Sequence, residues 1–281
     1  VIVFNGEIYN YRELRSEWFE QGARFATDGD TEVILAAWQC WGIDCLEHLD
    51  GMFAFALYAL DKRQLFLARD RFGVKPLFLA ELPGGTLCFG SELKALLTEQ
   101  TLGRRLSPQA LDAYLTWGYV PDTHSIFAGV RKLPAGHFML CEAGKPLPEP
   151  RRWYDISFAE RSAASEDKLR EELTELMRKA VRSRMVSDVP LGAFLSGGVD
   201  SSSVVAMMSE AESQPVTTCS IAFDVEALDE TGYAQRVAEQ YGTDHHARTV
   251  SPDDFGAIDA LADMFDEPFA DASALPTWRV C

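Results

Sequence analysis

The sequence is poor in basic residues and has no long apolar run. Its 281 residues include 26 Lys and Arg against 43 Asp and Glu, for a formal net charge of −17. A field of that sign repels nucleic acid and anionic lipid, so we expect neither to be a partner. The longest apolar run, at residues 52–60, has nine residues, whereas a membrane span needs about 20. We therefore expect no membrane helix.

The sequence also lacks the cysteine spacings of metal sites and redox motifs. Its six cysteines include no C-x-x-C pair. We therefore predict free thiols, buried at Cys40 and Cys45, and a reducing, cytoplasmic compartment. The sequence opens at Val1 without a signal-peptide pattern and stops at Cys281 in what looks like the start of a helix, so we expect an internal fragment of a longer protein.

The order of predicted elements in residues 1–143 favours a mostly antiparallel sheet. Strands there follow one another without alternating helices. The prediction has a strand at 1–4, a turn at 5–7, a helix at 11–21, a second helix after an N-cap at Asp30, and a hairpin of 52–60 with 65–69. Ser107 and Pro108 begin a further helix, which Gly118 ends.

The remainder of the sequence has a different rhythm. Residues 144–152 hold three prolines and no apolar periodicity, which indicates a linker. An amphipathic helix capped at Ser165 follows, and then strands at 191–195, 216–223 and 246–250 alternate with helices. Such alternation predicts a parallel sheet with helices on its faces. At about 100–200 residues per domain, we predict a first domain at 1–143, a linker at 144–164 and a second domain at 165–281.

The string Phe-Leu-Ser-Gly-Gly-Val-Asp-Ser-Ser at residues 194–202 stands between an apolar strand and a helix. Adjacent glycines let successive N–H groups point into one concavity, where they and a helix N-terminus can bind phosphate. Asp200 is an oxygen ligand suited to Mg²⁺ beside a polyphosphate. The string is neither a Walker A loop nor a G-x-S-x-G elbow. A strand–helix turn that uses these residues only for geometry is the alternative. The predicted phosphate-binding residues are Ser196, Gly197, Gly198, Asp200, Ser201 and Ser202.

This string resembles the pyrophosphate loop of the N-type ATP pyrophosphatases. The resemblance implies that ATP is bound with Mg²⁺ and cleaved to AMP and pyrophosphate, which activates a carboxylate as an adenylate. It also implies that backbone groups of Leu195 and Phe223, at the ends of two strands, bind adenine. Simple core packing of these two residues is the alternative.

A second candidate site lies near the start of the sequence. Asn5 has a carboxamide that could stabilise an oxyanion, while Glu7 and Asp30 could hold the ammonium group of an amino acid. From the residues alone, the competing interpretation is a turn at residues 5–7 and a helix N-cap at Asp30.

Five strings in residues 1–100 resemble the class II glutamine amidotransferase domain. They are Asn-Gly-Glu-Ile-Tyr-Asn at 5–10, Gly-Asp-Thr-Glu-Val-Ile at 29–34, Gly-Met-Phe-Ala-Phe-Ala at 51–56, Arg-Asp-Arg-Phe-Gly-Val-Lys-Pro-Leu at 69–77 and Ser-Glu-Leu-Lys-Ala-Leu at 91–96. We interpret the string at 69–77 as structural, with an ion pair and a tight turn. Followed by the pyrophosphate loop, this order resembles that of the glutamine-hydrolysing asparagine synthetase family.

The resemblance implies an α+β Ntn-hydrolase-type (αββα) domain followed by an α/β parallel-sheet domain like the adenine-nucleotide hydrolases. It implies that Asn5 helps to form the oxyanion hole and that Asn5, Glu7 and Asp30 bind glutamine. The implied reaction makes asparagine from aspartate, glutamine and ATP through an acyl-adenylate. The oligomeric state is left open, with a homodimer as one option.

The sequence departs from the family pattern at two points. The family nucleophile is a Cys at the mature N-terminus, for which Val1 is no substitute, and the later Ser-Gly-x-Gly-x-Asp-Glu segment is absent. We therefore expect this polypeptide alone to be inactive and its parent to be active.

Other interpretations remain open. Residues 266–277 look more like variant synthetases grouped with exopolysaccharide and exosortase systems, which implies another carboxylate as acceptor. A β-lactam-synthetase-like ligase with an inactive glutaminase domain and a non-catalytic sensor of ATP or glutamine are the further alternatives. Four acidic residues have alternative interpretations: they line the nucleotide or acceptor site, or they belong to a solvated face or a helix end. They are Asp263, Asp266, Glu267 and Asp271. His245 and His246 are expected to be polar strand residues and not metal ligands.

Overall fold

The computed structural model describes residues 1–20, 22–159, 162–223, 230–250, 258–271 and 273–280. The chain divides into two compact units. Unit 1 comprises residues 1–159 and 265–270, and unit 2 comprises residues 160–264 and 271–281. Residues 144–159 of the predicted linker thus lie in unit 1. None of the helices in the described ranges is long and apolar enough to cross a membrane.

Unit 1 is built on two sheets, and their antiparallel pairing is as the sequence predicted. Its strands are β1 (Ile2–Ile8), β2 (Gly51–Ala59), β3 (Gln64–Arg69), β4 (Phe78–Leu82), β5 (Thr86–Gly90), β6 (Val130–Lys132), β7 (His137–Glu142) and β8 (Arg151–Arg152). The first sheet has the order β1-β2-β3-β7-β8 and the second has the order β5-β4-β6. Its helices are α1 (Tyr11–Glu20), α2 (Asp30–Trp41), α3 (Cys45–His48), α4 (Leu93–Leu96) and α5 (Pro108–Trp117), with a 3₁₀ turn at Gly42–Asp44.

Buried side chains show how the layers of unit 1 stack. One cluster joins α1 and α2 to a face of the first sheet, and it includes Trp18, Ile34, Phe53, Phe55 and Phe66. A second cluster lies between the two sheets, and it includes Ala54, Ala56, Leu67, Leu79 and Met139. A third joins the outer face of the second sheet to α4 and α5, and it includes Phe78, Leu93, Leu96 and Ala110. Successive side chains of β2 point to opposite faces of the sheet and so pack in two different clusters. The predicted αββα arrangement is confirmed.

The turn predicted at residues 5–7 is wrong, because β1 continues through them to Ile8. Asn5 pairs with Ala54, and Glu7 pairs with Met52. Gly6 has φ +149°, and a Cβ there would lie 2.1 Å from the carbonyl oxygen of Met52. The glycine therefore serves a close approach of two strands and not a chain reversal.

The carboxylate of Asp70 organises the loop between β3 and β4. Its side chain is buried, and it accepts hydrogen bonds from four backbone N–H groups. These belong to Phe53 at 3.1 Å and to Phe72, Val74 and Lys75 at 3.0 Å each. Phe53 lies in the first sheet, whereas the other three donors lie on the path to the second sheet. A single carboxylate therefore ties the chain of one sheet to the connection that leads to the other.

Arg69 completes this corner. Its buried guanidinium donates to the carbonyl oxygens of Gly73, Lys75 and Leu133 at 2.7–2.8 Å. It also pairs with the carboxylate of Asp122 at 2.8 Å. The tight turn predicted at residues 69–77 is confirmed, but the ion pair joins Arg69 to Asp122, outside this string, while Asp70 binds backbone N–H groups instead.

Unit 2 is an α/β unit with a parallel sheet, as predicted. Its elements are α6 (Glu166–Arg184), β9 (Gly192–Phe194), α7 (Val199–Ala211), β10 (Thr217–Phe223), α8 (Thr231–Tyr241), β11 (Asp244–Val250), α9 (Ile258–Met264) and α10 (Ala274–Val280). The sheet has the order β11-β10-β9, with both pairs parallel. Leu195, Val205, Ala234 and Ala238 form its buried cluster. The described cysteines are free thiols, as predicted, and Cys45 is buried, but the prediction that Cys40 is buried is wrong because its side chain is exposed.

We predict that Asp70→Asn lowers the free energy of unfolding by about 2–4 kcal/mol, because an amide offers one acceptor oxygen and turns an N–H₂ group toward backbone donors. Urea unfolding followed by tryptophan fluorescence measures the change. The exposed Asp61→Asn, in the β2–β3 turn, is the matched control and should stay within about 0.5 kcal/mol. Equal effects of the two substitutions would contradict the role given to Asp70.

Candidate functional sites

The first candidate site lies on β1, the edge strand of the first sheet of unit 1. Asn5 and Glu7 are two residues apart on this strand and so project from the same face. Asn5 is half-buried and Glu7 is exposed. Phe4 and Ile8 point the other way, into the cluster beneath α1 and α2. The apolar residues of β1 anchor the strand, and its polar residues are presented on the opposite face.

Asp30 is brought to the same end of β1. The helix α2 begins at Asp30 itself, with Gly29 as its N-cap, so the predicted N-cap is wrong by one residue. The half-buried carboxylate of Asp30 accepts a hydrogen bond from the N–H of Ile8 at 3.0 Å. Asp30 is therefore bonded to the residue next to Glu7, while Asn5 lies three residues before Ile8 on the same strand.

Sequence reasoning missed Glu32, although it lies in the Gly-Asp-Thr-Glu string. Its carboxylate accepts hydrogen bonds from the N–H of Ala26 at 2.9 and 3.1 Å, and from both the N–H and the hydroxyl of Thr27 at 2.7 Å. The bond from Ala26 and then those from Thr27 lower the pKa of Glu32. The available signal was a Glu three residues after the N-cap, the position of a capping box.

Asn10, the last residue of the Asn-Gly-Glu-Ile-Tyr-Asn string, was missed as well. Its carboxamide donates to the carbonyl oxygen of His48 at 2.9 Å and accepts from the N–H of Asp50 at 3.0 Å. Tyr9 adds a backbone bond to the carbonyl oxygen of Asp50 at 2.7 Å. These bonds close the end of the β1–β2 ladder just beyond Glu7.

The second candidate site is the loop between β9 and α7 in unit 2. Gly197 has φ +80°, and a Cβ there would lie 2.5 Å from Cβ of Tyr233 and 2.6 Å from the N of Ala234. Gly198 is the N-cap of α7. Only a glycine fits at the first position, because the loop turns left-handed directly against α8.

Two serines close this loop on itself. The hydroxyls of Ser196 and Ser201 are 3.0 Å apart, and the Ser196 hydroxyl also accepts from the N–H of Gly198 at 3.3 Å. Asp200 is exposed in the first turn of α7. The Ser202 hydroxyl is buried and has no hydrogen-bond partner in the part of the chain that the structure describes. The loop thus presents the N-terminus of a 13-residue helix beside an exposed carboxylate.

A cleft of about 280 Å³ adjoins the loop at the carboxyl ends of β9 and β10. Leu195 lies on its wall, but its side chain is buried in the core and its N–H donates to the carbonyl oxygen of Cys219 at 2.8 Å. The side chain of Leu195 therefore belongs to the core, and its N–H is already engaged within the sheet. Phe223 ends β10 at the same edge of the sheet. The cleft is lined by Phe194, Leu195, Ser196, Cys219, Ser220, Ile221, Glu230, Thr231, Ala234 and Thr277.

His245 belongs to a hydroxyl network on β10 and β11. One ring nitrogen lies 2.9 Å from the hydroxyl of Thr218, and the other lies 3.2 Å from the hydroxyl of Ser220. Burial, and then the neighbouring His246, lower the pKa of His245. In the described ranges, no group of three or more His, Cys, Asp or Glu residues could hold a metal ion. The two histidines are polar strand residues, as expected.

Two acidic residues near the end of the chain are engaged in unit 1. Asp266 accepts from the N–H of Leu93 at 2.7 Å, at the start of α4. Glu267 accepts from the N–H of Ile126 at 2.7 Å and pairs with Lys132 at 2.5 Å, with both side chains nearly buried. Of the placements considered for these carboxylates, the helix end is the one that Asp266 occupies. Asp263 and Asp271 are exposed.

Comparisons with known proteins match both units. The family model described as a glutamine amidotransferase domain matches residues 1–154, and the one described as asparagine synthase matches residues 172–281. A putative glutamine-hydrolysing asparagine synthetase of Mycobacterium tuberculosis is 41% identical over all of this chain and 44% of its own length. A second putative enzyme of that name, from Methanocaldococcus jannaschii, is 38% identical over all of this chain and 54% of its own length.

Glutamine-hydrolysing asparagine synthetase 1 of Bacillus subtilis is 34% identical over 99% of this chain and 44% of its own length. The chain thus spans about half the length of the curated relatives it matches.

We predict that Gly197→Ala lowers the free energy of unfolding by about 2–4 kcal/mol, because the methyl group meets the backbone of α8 and the left-handed φ becomes strained. Gly232→Ala on α8 is the control, since a Cβ there has no neighbour within 4 Å. It should be neutral or stabilising by up to about 1 kcal/mol. Chemical denaturation followed by circular dichroism measures both, and a neutral Gly197→Ala would show that the loop can be rebuilt without this glycine.

Proposed function

The chain belongs to the glutamine-hydrolysing asparagine synthetase family, and we propose that it supplies both sites of a glutamine-dependent, ATP-consuming amidotransferase. In this reaction, one site hydrolyses glutamine to glutamate and ammonia. At the other site, an acceptor carboxylate attacks ATP, which forms an acyl-adenylate and releases pyrophosphate. Ammonia then displaces AMP and forms the amide. The observation that carries the proposal is that each unit presents the polar motif of its matched family: unit 1 on the edge strand β1, and unit 2 in the loop between β9 and α7.

We assign glutamine binding to the face of β1 in unit 1. Asn5 donates its carboxamide N–H to the oxyanion that forms at the glutamine amide carbon, while Glu7 and Asp30 hold the ammonium group. The shared face of Asn5 and Glu7, and the bond from Ile8 to Asp30, support this assignment. Cys45 is no candidate for the nucleophile, because burial raises the pKa of its thiol to about 12.

We assign ATP to the cleft and loop of unit 2. The N–H groups at the start of α7, with the hydroxyls of Ser196 and Ser201, bind the pyrophosphate portion. Ser202 was also predicted to bind phosphate, but its hydroxyl is buried and its N–H donates to the carbonyl oxygen of Gly198 at 3.0 Å, so we assign it no contact with the pyrophosphate. Backbone groups of Leu195 and Phe223 meet adenine at the carboxyl edge of the sheet, where α/β folds bind nucleotides.

The residues present fit Mg²⁺ as a companion of ATP. Mg²⁺ is usually held by one or two carboxylates, with substrate phosphates and waters completing its shell. Asp200 supplies one exposed carboxylate beside the loop, and the described ranges contain no acidic cluster that would cage an ion without phosphate. When bound, the ion would neutralise charge on the phosphates. Asp200 would hold it.

We propose aspartate as the acceptor, because the curated relatives carry the name asparagine synthetase. One observation favours a second candidate, a different carboxylate. Residues 265–277 contain no Lys or Arg to pair with an α-carboxylate, and Asp266 and Glu267 are bonded within unit 1. Pyrophosphate release measured with aspartate, and then with a sugar acid, distinguishes the two acceptors.

We predict that Asp200→Ala lowers ATP-dependent pyrophosphate release in the full-length protein by at least about 100-fold, because the phosphate charge loses its bound counter-ion. Glutamine hydrolysis should change little. Asp188→Ala, an exposed aspartate before β9, is the control and should leave both activities unchanged. Equal loss of both activities in Asp200→Ala would contradict the division into two sites.

We predict that Glu7→Ala raises the KM for glutamine by about 10–100-fold, because a charge-assisted bond to the ammonium group is lost. Synthesis driven by an added ammonium salt should keep its rate. Glu13→Ala, at an exposed position of α1, serves as the control. If the ammonium-driven rate falls as far as the glutamine-driven rate, Glu7 has a structural role instead.

A further inference from the structure

The Gly-Asp-Thr-Glu string contributes Asp30 to the glutamine site, but its last residue has no part in the proposed function. We propose that Glu32 is a positioning residue for glutamine, which fixes residues 26–29 and through them the carboxylate of Asp30. This inference rests on the proposed role of Asp30 and Glu7.

The contacts of Glu32 are all made to the segment that precedes α2. Both carboxylate oxygens accept from the N–H of Ala26, and one also takes the N–H and hydroxyl of Thr27. Because its oxygens are engaged in this way, Glu32 is not the group that meets the ligand. These bonds lower the pKa of Glu32, so it remains a carboxylate in neutral solution.

The start of α2 depends on this contact because its N-cap has no side chain. Gly29 occupies the N-cap and provides no capping hydrogen bond. Glu32 reaches back over one turn and satisfies N–H groups beyond the cap instead. Glu32, which follows Asp30 in the sequence, thus fixes the path of the chain that leads to Asp30.

Arg15 of α1 holds the same segment from the other side. Its guanidinium donates to the carbonyl oxygen of Thr27 and pairs with Asp28 at 2.8 Å. It also lies 5.0 Å from the centroid of the Phe25 ring. The anion of Glu32 and the cation of Arg15 therefore clamp residues 26–28 between α2 and α1.

The clamp bears on chemistry through the bond between Asp30 and Ile8. That bond, 3.0 Å long, joins Asp30 to the residue after Glu7 and so relates the two carboxylates that hold the ammonium group. If residues 26–29 move, Asp30 moves relative to Glu7. Because these two carboxylates bind the ammonium group and not the reacting carbon, we expect such a displacement to weaken glutamine binding.

The test is Glu32→Gln in the full-length protein. A carboxamide keeps one acceptor oxygen and turns N–H₂ toward Ala26 or Thr27. We expect the KM for glutamine to rise about tenfold while kcat stays within about threefold, since ground-state positioning is lost and not the reacting groups. Synthesis driven by an ammonium salt should keep its rate. Glu13→Gln, exposed on α1, is the matched control.

A second variant separates positioning from a general loss of folding. Thr27→Val removes only the hydroxyl contact with Glu32 and keeps the backbone bond, so the KM should rise by about two- to threefold. The double variant should match Glu32→Gln alone, because both act through one contact. Simple multiplication of the two effects would show that they act independently.

Three results would overturn the inference. The first is an unchanged KM for glutamine in Glu32→Gln. The second is a fall of kcat that equals the fall of kcat/KM. The third is a loss of ammonium-driven synthesis, which would mark general misfolding. The proposed function fails separately if the wild-type protein hydrolyses no glutamine or if Glu7→Ala leaves the KM unchanged, and the inference then falls with it.

Discussion

The layered structure of unit 1 depends on a buried carboxylate that takes up four backbone N–H groups. A charge removed from water is tolerated only when its hydrogen-bonding capacity is filled, and Asp70 meets that condition with donors from β2 and from the chain that leads to β4. The buried guanidinium of Arg69 likewise donates its N–H groups to the carbonyl oxygens of Gly73, Lys75 and Leu133. The two sheets are joined here by directional bonds as well as by the apolar contacts between them.

The proposed glutamine site inherits its geometry from this construction. β2 is held by Asp70 at Phe53, and it pairs in turn with β1 so closely that Gly6 and Gly51 tolerate no side chain. The edge strand that carries Asn5 and Glu7 therefore lies on a rigid neighbour. In the loop that brings Asp30, Phe25 packs against the core, and residues 26–28 are held by the charged side chains of Glu32 and Arg15. The site thus combines a strand positioned by packing with a loop segment held by charged side chains.

Local signals allowed the sequence to predict some features well. The helix α5 begins after Ser107, whose hydroxyl accepts from the N–H of Ala110, and ends at Gly118 in the left-handed conformation. Both signals act within a few residues. The turn predicted at residues 5–7 was wrong because Gly6 pairs with a strand more than 40 positions away in the sequence. Similarly, nothing near Glu267 indicates that Lys132 is its partner. Glu32 was within reach, since its capping-box position is local.

The discontinuity of unit 1 sets an order on its formation. The chain leaves this unit at residue 159 and returns to it at residue 265. During synthesis, Lys132 has emerged long before Glu267 exists, so the nearly buried cation must wait for its counter-charge while residues 160–264 are made. At translation rates of about 5–20 residues per second, that interval lasts on the order of ten seconds. A nascent unit 1 is thus incomplete until residue 267 has been made.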